Sequence, residues 1–251
     1  MLNFDPNMPA FFLYYEKGEL VGLLTVYADD PDVEVAILVH PNHRCQGIAR
    51  ALYRSFEKET ASYPIESVTF QTERIFLERH PDFASNWGLV EDEETETWLG
   101  KDRRPYPLAN VSDLEVLLAD CSYQDQISQL KFQAFSEDHE SREVVDRYVA
   151  KALKDPESLL YILLKNSQVI GTCTVDLSSN TNYLFGLAIA ELERGKGYGT
   201  YLAKSLINQL IEQNDKAFQI AVEDSNLGAK RLYEKIGFVK QTQVVYLKPK
   251  V

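Results

Sequence analysis

One short pattern occurs twice in the 251-residue chain and limits its fold more than any other feature. The stretch Phe185-Gly-Leu-Ala-Ile-Ala-Glu-Leu-Glu-Arg-Gly-Lys-Gly-Tyr-Gly-Thr200 opens with an apolar run of strand length. It passes into a turn holding Arg194, Gly195, Gly197 and Gly199, then into helical spacing at Leu202, Leu206 and Leu210. This reads as strand, glycine-rich turn, helix. Such a turn can aim several backbone N–H groups at one point beside a positive helix end, which favours a phosphate or pyrophosphate. Val39-His-Pro-Asn-His-Arg44-Cys-Gln-Gly47-Ile-Ala49 repeats the arrangement, and its arginine precedes the second by 150 positions (194 minus 44). Further on, Gly88-Leu89-Val90 and then Thr97-Trp98-Leu99 parallel Gly237-Phe238-Val239 and then Thr242 to Leu247. A separation near 150 held over roughly fifty residues is an internal repeat.

The segments around the two loops read as alternating elements. In the first half, Phe11 to Tyr15, a turn at Lys17-Gly18-Glu19, and Leu20 to Tyr27 form a hairpin. Val33 to Val39 is a third strand, a helix begins near Gly47 or Ile48, and Ile65 to Thr72 is a further strand. In the second half, a strand at Leu114 to Leu118 precedes a helix reaching about Phe135 and another from Ser141 to before Pro156. Strands follow at Leu159 to Leu164, Val169 to Leu177 and Tyr183 to Ala190, before the loop and its helix. Phe218 to Val222 is a strand, Asn226 to Lys235 a helix closed by Gly237, and Val244 to Leu247 the final strand. Periodicity supplies this order of elements in two copies.

Charge narrows the function. Lys and Arg total 26 against 38 Asp and Glu, a formal charge of −12, which argues against a nucleic-acid phosphate surface. No apolar run is long enough to span a bilayer, and no basic-then-apolar leader opens the chain, so the expected location is cytoplasmic. Cys45, Cys121 and Cys173 are scattered and odd in number, as in a reducing compartment. His40, His43, His80 and His139 show no metal-ligand spacing, so no metal is expected.

The loops resemble the acyl-CoA pyrophosphate loop of the GCN5-related N-acetyltransferases, the GNAT superfamily, whose pattern is Arg/Gln-x-x-Gly-x-Gly/Ala. Arg194, Gly197 and Gly199 fit it in register, as do Arg44, Gly47 and Ala49. Ser225-Asn226-x-x-Ala229-x-x-Leu232-Tyr233-x-x-x-Gly237-Phe238 is similar to the family's second motif. The resemblance implies an α/β class with a mixed sheet, a truncated copy over 1–100, a proline-bearing linker over 101–112 and a complete copy over 113–251. It also implies direct transfer of an acetyl group from acetyl-CoA to the amine of a small molecule or peptide. It implies that Tyr233 protonates the leaving thiolate and that the Ile189 N–H binds the thioester oxygen. Arg194, Gly195, Lys196, Gly197, Gly199 and Thr200 would contact the pyrophosphate, and Asn226 would touch the cofactor or order its helix. Glu137, Glu140, Asp176 and Glu223 stay open as the base.

The first copy departs from the family. It has no room for the early strand and two helices that help wall the acceptor site, so the two copies are expected to share an interface, and an isolated Met1–Gly100 fragment to expose apolar surface. Glu73 to Pro81 replaces the tyrosine-bearing motif, with Tyr63 or His80 as weak substitutes. That copy is expected to be non-catalytic, holding CoA through Val39, Arg44, Gln46, Gly47 and Ala49, or holding nothing. A binding module without transfer, and catalysis in the first copy, remain as alternatives.

Overall fold

The computed structural model describes residues 4–109, 111–135 and 141–250. The chain packs as two compact units, Met1–Glu96 together with Thr242–Val251, and Thr97–Gln241.

In the first unit, β1 (Phe11–Glu16), β2 (Glu19–Tyr27) and β3 (Asp32–Val39) lead into α1 (Ile48–Thr60) and β4 (Ser67–Glu73). Two short helices follow, α2 (Arg74–Arg79) and α3 (Phe83–Trp87), and then β5 (Leu89–Lys101), which runs on into the second unit. Within the second unit come β6 (Leu114–Leu118), α4 (Gln124–Phe135), α5 (Arg142–Ala152), β7 (Ser158–Lys165), β8 (Gln168–Asp176) and β9 (Thr181–Ile189). They are followed by α6 (Tyr198–Gln213), β10 (Ala217–Glu223), α7 (Leu227–Lys235) and β11 (Val239–Pro249). Both copies of the repeat therefore run strand, strand, strand, loop, helix, strand, and among the described residues the first has no strand or helix before β1.

Hydrogen-bonded neighbours run β1-β2-β3-β4-β11 in the first unit and β5-β10-β9-β8-β7-β6 in the second. Strand β11 begins in the second unit and ends in the first, where Val244 to Leu247 pair antiparallel with Phe70 to Glu73. The segment after β5 is tied down within the second unit. Arg103 donates to the carbonyls of Ile211 and Asn214, both at 2.8 Å, and the Tyr106 backbone is clasped by the Asn208 amide.

The repeat is visible in backbone detail. Lys17 and Gly18 turn the first hairpin in left-handed conformation, and Asn166 and Ser167 do the same in the second. Each hairpin carries a bulge, after Tyr14 in one and after Leu163 in the other. The copies are offset by 149 positions here (166 minus 17) but by 150 at the loops. The extra residue enters at a second bulge in β9, where the β8–β9 register shifts between Thr172 and Thr174 and Gly186 adopts φ +58. The β2–β3 ladder runs through the same region without a shift.

Packing also differs between copies. In the first, α1 buries Ile48, Leu52 and Phe56 with Phe12, Leu24 and Val35 in one cluster on one sheet face. In the second, α6 contributes Leu202, Leu206 and Leu210 to a cluster with Tyr161, Cys173 and Leu184. The opposite face has a cluster of its own, where α4 and α5 bring Ile127, Leu130, Val145 and Val149 onto Leu160, Ile162 and Leu164. Helices on both faces explain why Leu160 to Leu164 are all buried, with no polar alternation.

Candidate active site

The two glycine loops share one geometry. After each third strand a single 3-10 turn (Pro41–His43, Glu191–Glu193) leads to a helix whose N-cap is a left-handed glycine, Gly47 at φ +83 and Gly197 at φ +86. Neither N-cap makes a side-chain cap hydrogen bond. The first helical bonds are Ala51 N–H to Gly47 and Tyr201 N–H to Gly197. The N–H groups of residues 48–50 and 198–200 thus lead the helix with no partner inside it, aimed out of its positive end. A Cβ at Gly195 or Gly197 would meet no atom within 4 Å, so a ligand can approach the backbone there.

The arginines hold the loops closed. Arg194 donates its Nε–H to the Ile189 carbonyl at 3.0 Å, and Arg44 donates to the Val39 carbonyl at 3.1 Å. The Lys196 ammonium is paired with Glu193 at 3.1 Å, and Glu193 also holds Lys165. Gln46 donates its side-chain amide to the Asn42 carbonyl.

Beside each loop the sheet is open. Strand β9 pairs with β10 from Thr181 to Leu184 only, and β3 pairs with β4 from Asp32 to Val35 only. The Ala190 N–H donates to the Ile170 carbonyl at 2.8 Å, so alternation turns the N–H and C=O of Ile189 away from β8, toward the open edge. His40, which donates to Val21, does the same for Val39. Such an edge can receive an extended, amide-bearing chain as an added strand.

Tyr233 lies in the core of the second unit. Its ring meets Phe238 edge-on at 5.5 Å, while the Phe238 N–H caps the Tyr233 carbonyl and Gly237 turns at φ +86. This is a Schellman end of α7 with its usual apolar contact. Burial raises the Tyr233 hydroxyl well above the usual phenol range, with a smaller push from nearby Cys173. The Cys173 thiol is pushed up to about 12 by burial, partly offset by Lys131. Asn226 caps α7, its Oδ1 accepting from the Ala229 N–H at 3.0 Å. Gly199 lies against α7: a Cβ there would come within 3.0 Å of Leu232.

On the other face of β9, the Lys131 ammonium of α4 donates to Thr174 Oγ1 at 3.1 Å and sits 6.0 Å from the Phe185 ring centre. A Cβ on Gly186 would fall 2.9 Å from it. Desolvation lowers the Lys131 pKa, and Cys173 opposes this only weakly in its neutral form. Trp98, Tyr183 and Phe185 form a stacked row leading to the same point, with centroid spacings of 5.6 and 6.0 Å.

The first unit has a cavity of about 970 Å³ where β3 and β4 part. Arg44, Gly47 and Arg50 lie on its loop side, and Phe76, His80 and Trp87 on the side of α2 and α3. The His80 ring lies 4.7 Å from that of Phe76, tilted by 46°, whereas the Tyr63 hydroxyl is bound to the Asn7 carbonyl.

Residues 2–74 and 124–238 match the model of the Acetyltransferase (GNAT) family. The chain belongs to the GNAT acetyltransferases. A mycothiol acetyltransferase from Clavibacter sepedonicus is 24% identical over 230 residues, covering 87% of this chain and 73% of that one. A GCN5-related N-acetyltransferase from Sphaerobacter thermophilus superposes with a TM-score of 0.70 at 17% identity, over 93% of this chain and 79% of its own. A tandem GNAT protein from the clavulanic acid biosynthesis pathway gives 0.73 at 16% identity, over 95% and 83%. As a GNAT enzyme the protein is an acyl-CoA-dependent N-acetyltransferase with acetyl-CoA as cosubstrate. The uncapped helix ends, the space above Gly195 and Gly197, and the open strand edge all suit that ligand.

Among the described residues no group of His, Cys, Asp or Glu could hold a metal ion, and no helix is long and apolar enough to cross a membrane. Of the base candidates, Glu137 and Glu140 lie outside the described residues. Asp176 accepts from the Ser178 N–H and hydroxyl, and Glu223 is exposed at the end of β10. Sequence reading overlooked Lys131 and the β9 bulge. The one-position change in repeat offset, falling at a glycine, was the available signal for the bulge.

Proposed function

We propose that the second copy catalyses acetyl transfer from acetyl-CoA to a primary amine by direct attack. One observation carries this reading. Only the second copy combines the glycine loop with a bulged third strand, two helices over the opposite face and the Tyr233-bearing helix.

In this reading the N–H groups of Gly197, Tyr198, Gly199 and Thr200 hold the pyrophosphate, with Gly195 and Lys196 beside it. Arg194 acts by bonding the Ile189 carbonyl, which keeps the loop closed. The pantetheine arm lies along the open β9 edge, and the Ile189 N–H, directed into that opening, donates to the thioester oxygen and stabilises charge that develops during attack. The neutral amine attacks the thioester carbon, a C–N bond forms, the C–S bond breaks, the thiolate takes a proton from Tyr233, and the proton released by the nitrogen restores the Tyr233 hydroxyl, directly or through water. A free thiol has a pKa of about 8.5, below that of a buried phenol. Burial pushes the Cys173 thiol in the same core up to about 12, so a leaving sulfur held equally dry is a stronger base than a solvated thiolate. The stacked row Trp98–Tyr183–Phe185 ending at Lys131 supports an acceptor-facing surface on the α4 side.

The cavity of the first unit favours a second statement: that copy holds a CoA-type ligand through Val39, Arg44, Gln46, Gly47 and Ala49 without transfer. Its α2–α3 segment offers His80 in place of the tyrosine helix. Mass spectrometry of acetyl-CoA with pooled cellular amines and peptides tests the enzyme reading and identifies the acceptor. An absence of acetylated product from every amine class, with acetyl-CoA bound, would leave a binding module.

A further inference from the structure

The outward face of the first unit's sheet is apolar and bare. Phe11 is 59% exposed, Leu13 50%, Tyr15 58%, Leu20 50% and Leu38 64%. The register places them together, since Leu13 opposes Leu23, Leu23 opposes Leu38, and Tyr15 opposes Leu20. The opposite face carries Phe12, Leu24, Val26 and Val35 and is covered by α1.

The internal repeat identifies what this face is built for. Phe11, Leu13, Tyr15 and Leu20 correspond to Leu160, Ile162, Leu164 and Val169, each 149 positions on (160 minus 11), and Leu38 corresponds to Ala188 beyond the bulge. None of the five counterparts is more than 7% exposed. All five belong to the cluster buried beneath α4 and α5. The first copy has kept the apolar side chains of a covered face while lacking both helices that cover it.

We propose that this face is covered by the same face of a second copy of the chain, forming a two-fold symmetric dimer. Area and charge select that occupant. The five side chains expose roughly 500 Å² together, taking about 200 Å² for a complete side chain. Leu23, Thr25 and Ala36 and the strand backbone extend the patch toward the ~800 Å² per partner of a stable interface. It lies at the upper end of what monomers leave bare. The chain carries a net charge of −12, so most of its surface repels a copy of itself. Neither β1 nor β2 places a charge on this face, and the charges nearest the patch gather at the start of β3, where Asp29, Asp30 and Glu96 lie near Glu34, and Lys248 lies near Asp32. A symmetric contact centred on β1 and β2 therefore brings apolar patch onto apolar patch, as an isologous interface requires. Two twisted sheets stacked in this way form a sandwich with interdigitated side chains.

Sedimentation velocity of the full chain, from sub-micromolar to tens of micromolar, tests this. The parent should shift from monomer to dimer across that range. Leu13→Glu should stay monomeric throughout, because it buries a charge against its own symmetry mate. Leu118→Glu, the same change on the exposed edge strand β6, should dimerise like the parent. Leu13 is exposed in the protomer, so its substitution should leave thermal unfolding of the monomer within about 2 °C, as for surface positions generally. Should Leu13→Glu aggregate, Phe11→Lys is the second variant, with the same expectation. A parent that remains monomeric at tens of micromolar overturns the proposal, including the case where a different protein covers the face. A dimer that persists in the charge variants overturns it as well.

Discussion

The two copies of the repeat differ by one inserted residue, by a leading strand and two helices, and by the helix that carries Tyr233. Both have a left-handed N-cap glycine, an arginine bonded back to the strand carbonyl, and a strand pair that parts before the loop. These shared parts suit cofactor binding. The bulge at Gly186, the α4–α5 pair and the α7 tyrosine occur only in the second copy, and they are the parts that suit chemistry. Loss of the two helices also leaves an apolar sheet face in the first copy. The comparison separates the loop, which both copies have, from the elements that flank it in the second copy alone among the described residues.

The largest expected effect comes from substituting the paired N-cap glycines. Gly197→Glu places a side chain in left-handed backbone and a negative charge in the pyrophosphate cradle. Steady-state kinetics should show kcat/KM reduced by roughly 10³-fold, a loss on the scale of removing fixed anion-stabilising donors. Gly47→Glu should leave turnover within about twofold while abolishing ligand binding in the first unit, read by calorimetry with CoA. The reverse pattern would move catalysis to the first copy.

Next is Tyr233→Phe, which keeps the contact with Phe238 and removes only the hydroxyl. Turnover should fall about 10²-fold, with acetyl-CoA affinity unchanged and the melting temperature close to the parent. Unchanged turnover would reduce Tyr233 to its role in ending α7.

The bulge is tested by Gly186→Ala. At φ +58 a side chain is strained, and its Cβ would crowd the Lys131 ammonium at 2.9 Å. Stability should drop by about 1–3 kcal/mol in denaturant unfolding. Ala36→Gly in the unbulged β3 should cost no more than about 1 kcal/mol. Equal losses at the two sites would remove the distinction.

Lys131→Met gives the smallest effect, and its sign is informative. Burial lowers the Lys131 pKa, so the unfolded chain binds more protons than the folded one between the lowered value and the ordinary lysine range. Stability therefore rises with pH through that window, and the penalty for burying the ammonium is fully present below it. The methionine variant should melt a few degrees above the parent near pH 7, with the advantage shrinking toward pH 10. A gap that does not vary with pH would mean that Lys131 is charged and fully compensated in the folded protein.

The loops, the hairpin turns and the order of elements were legible in the chain because they rest on local chemistry. Glycines mark left-handed positions, and period-2 and period-3.6 patterns mark strands and helices. The pairing of Tyr233 with Phe238 was implicit in Gly237, which sets a Schellman end four residues on. Lys131 was not legible, because its setting is built from Thr174 and Phe185, more than forty residues away in sequence. Nor was the bond from the Arg194 Nε–H to the carbonyl five residues back. The bare face of the first unit could be read from its missing helices, but the position-by-position match with a buried cluster needed the second unit's packing.

Strand β11 has a consequence for how the protein is made. Val245 pairs with Thr72, so the first unit's sheet includes a strand synthesised after the whole of the second unit. Until then Phe70 and its neighbours have an open edge, while α1, β1, β2 and β3 can already assemble from local contacts. The unit made earlier of the two is therefore finished after the one made later. A chain stopped before Thr242 would have its damage in the amino-terminal unit rather than beside the missing residues.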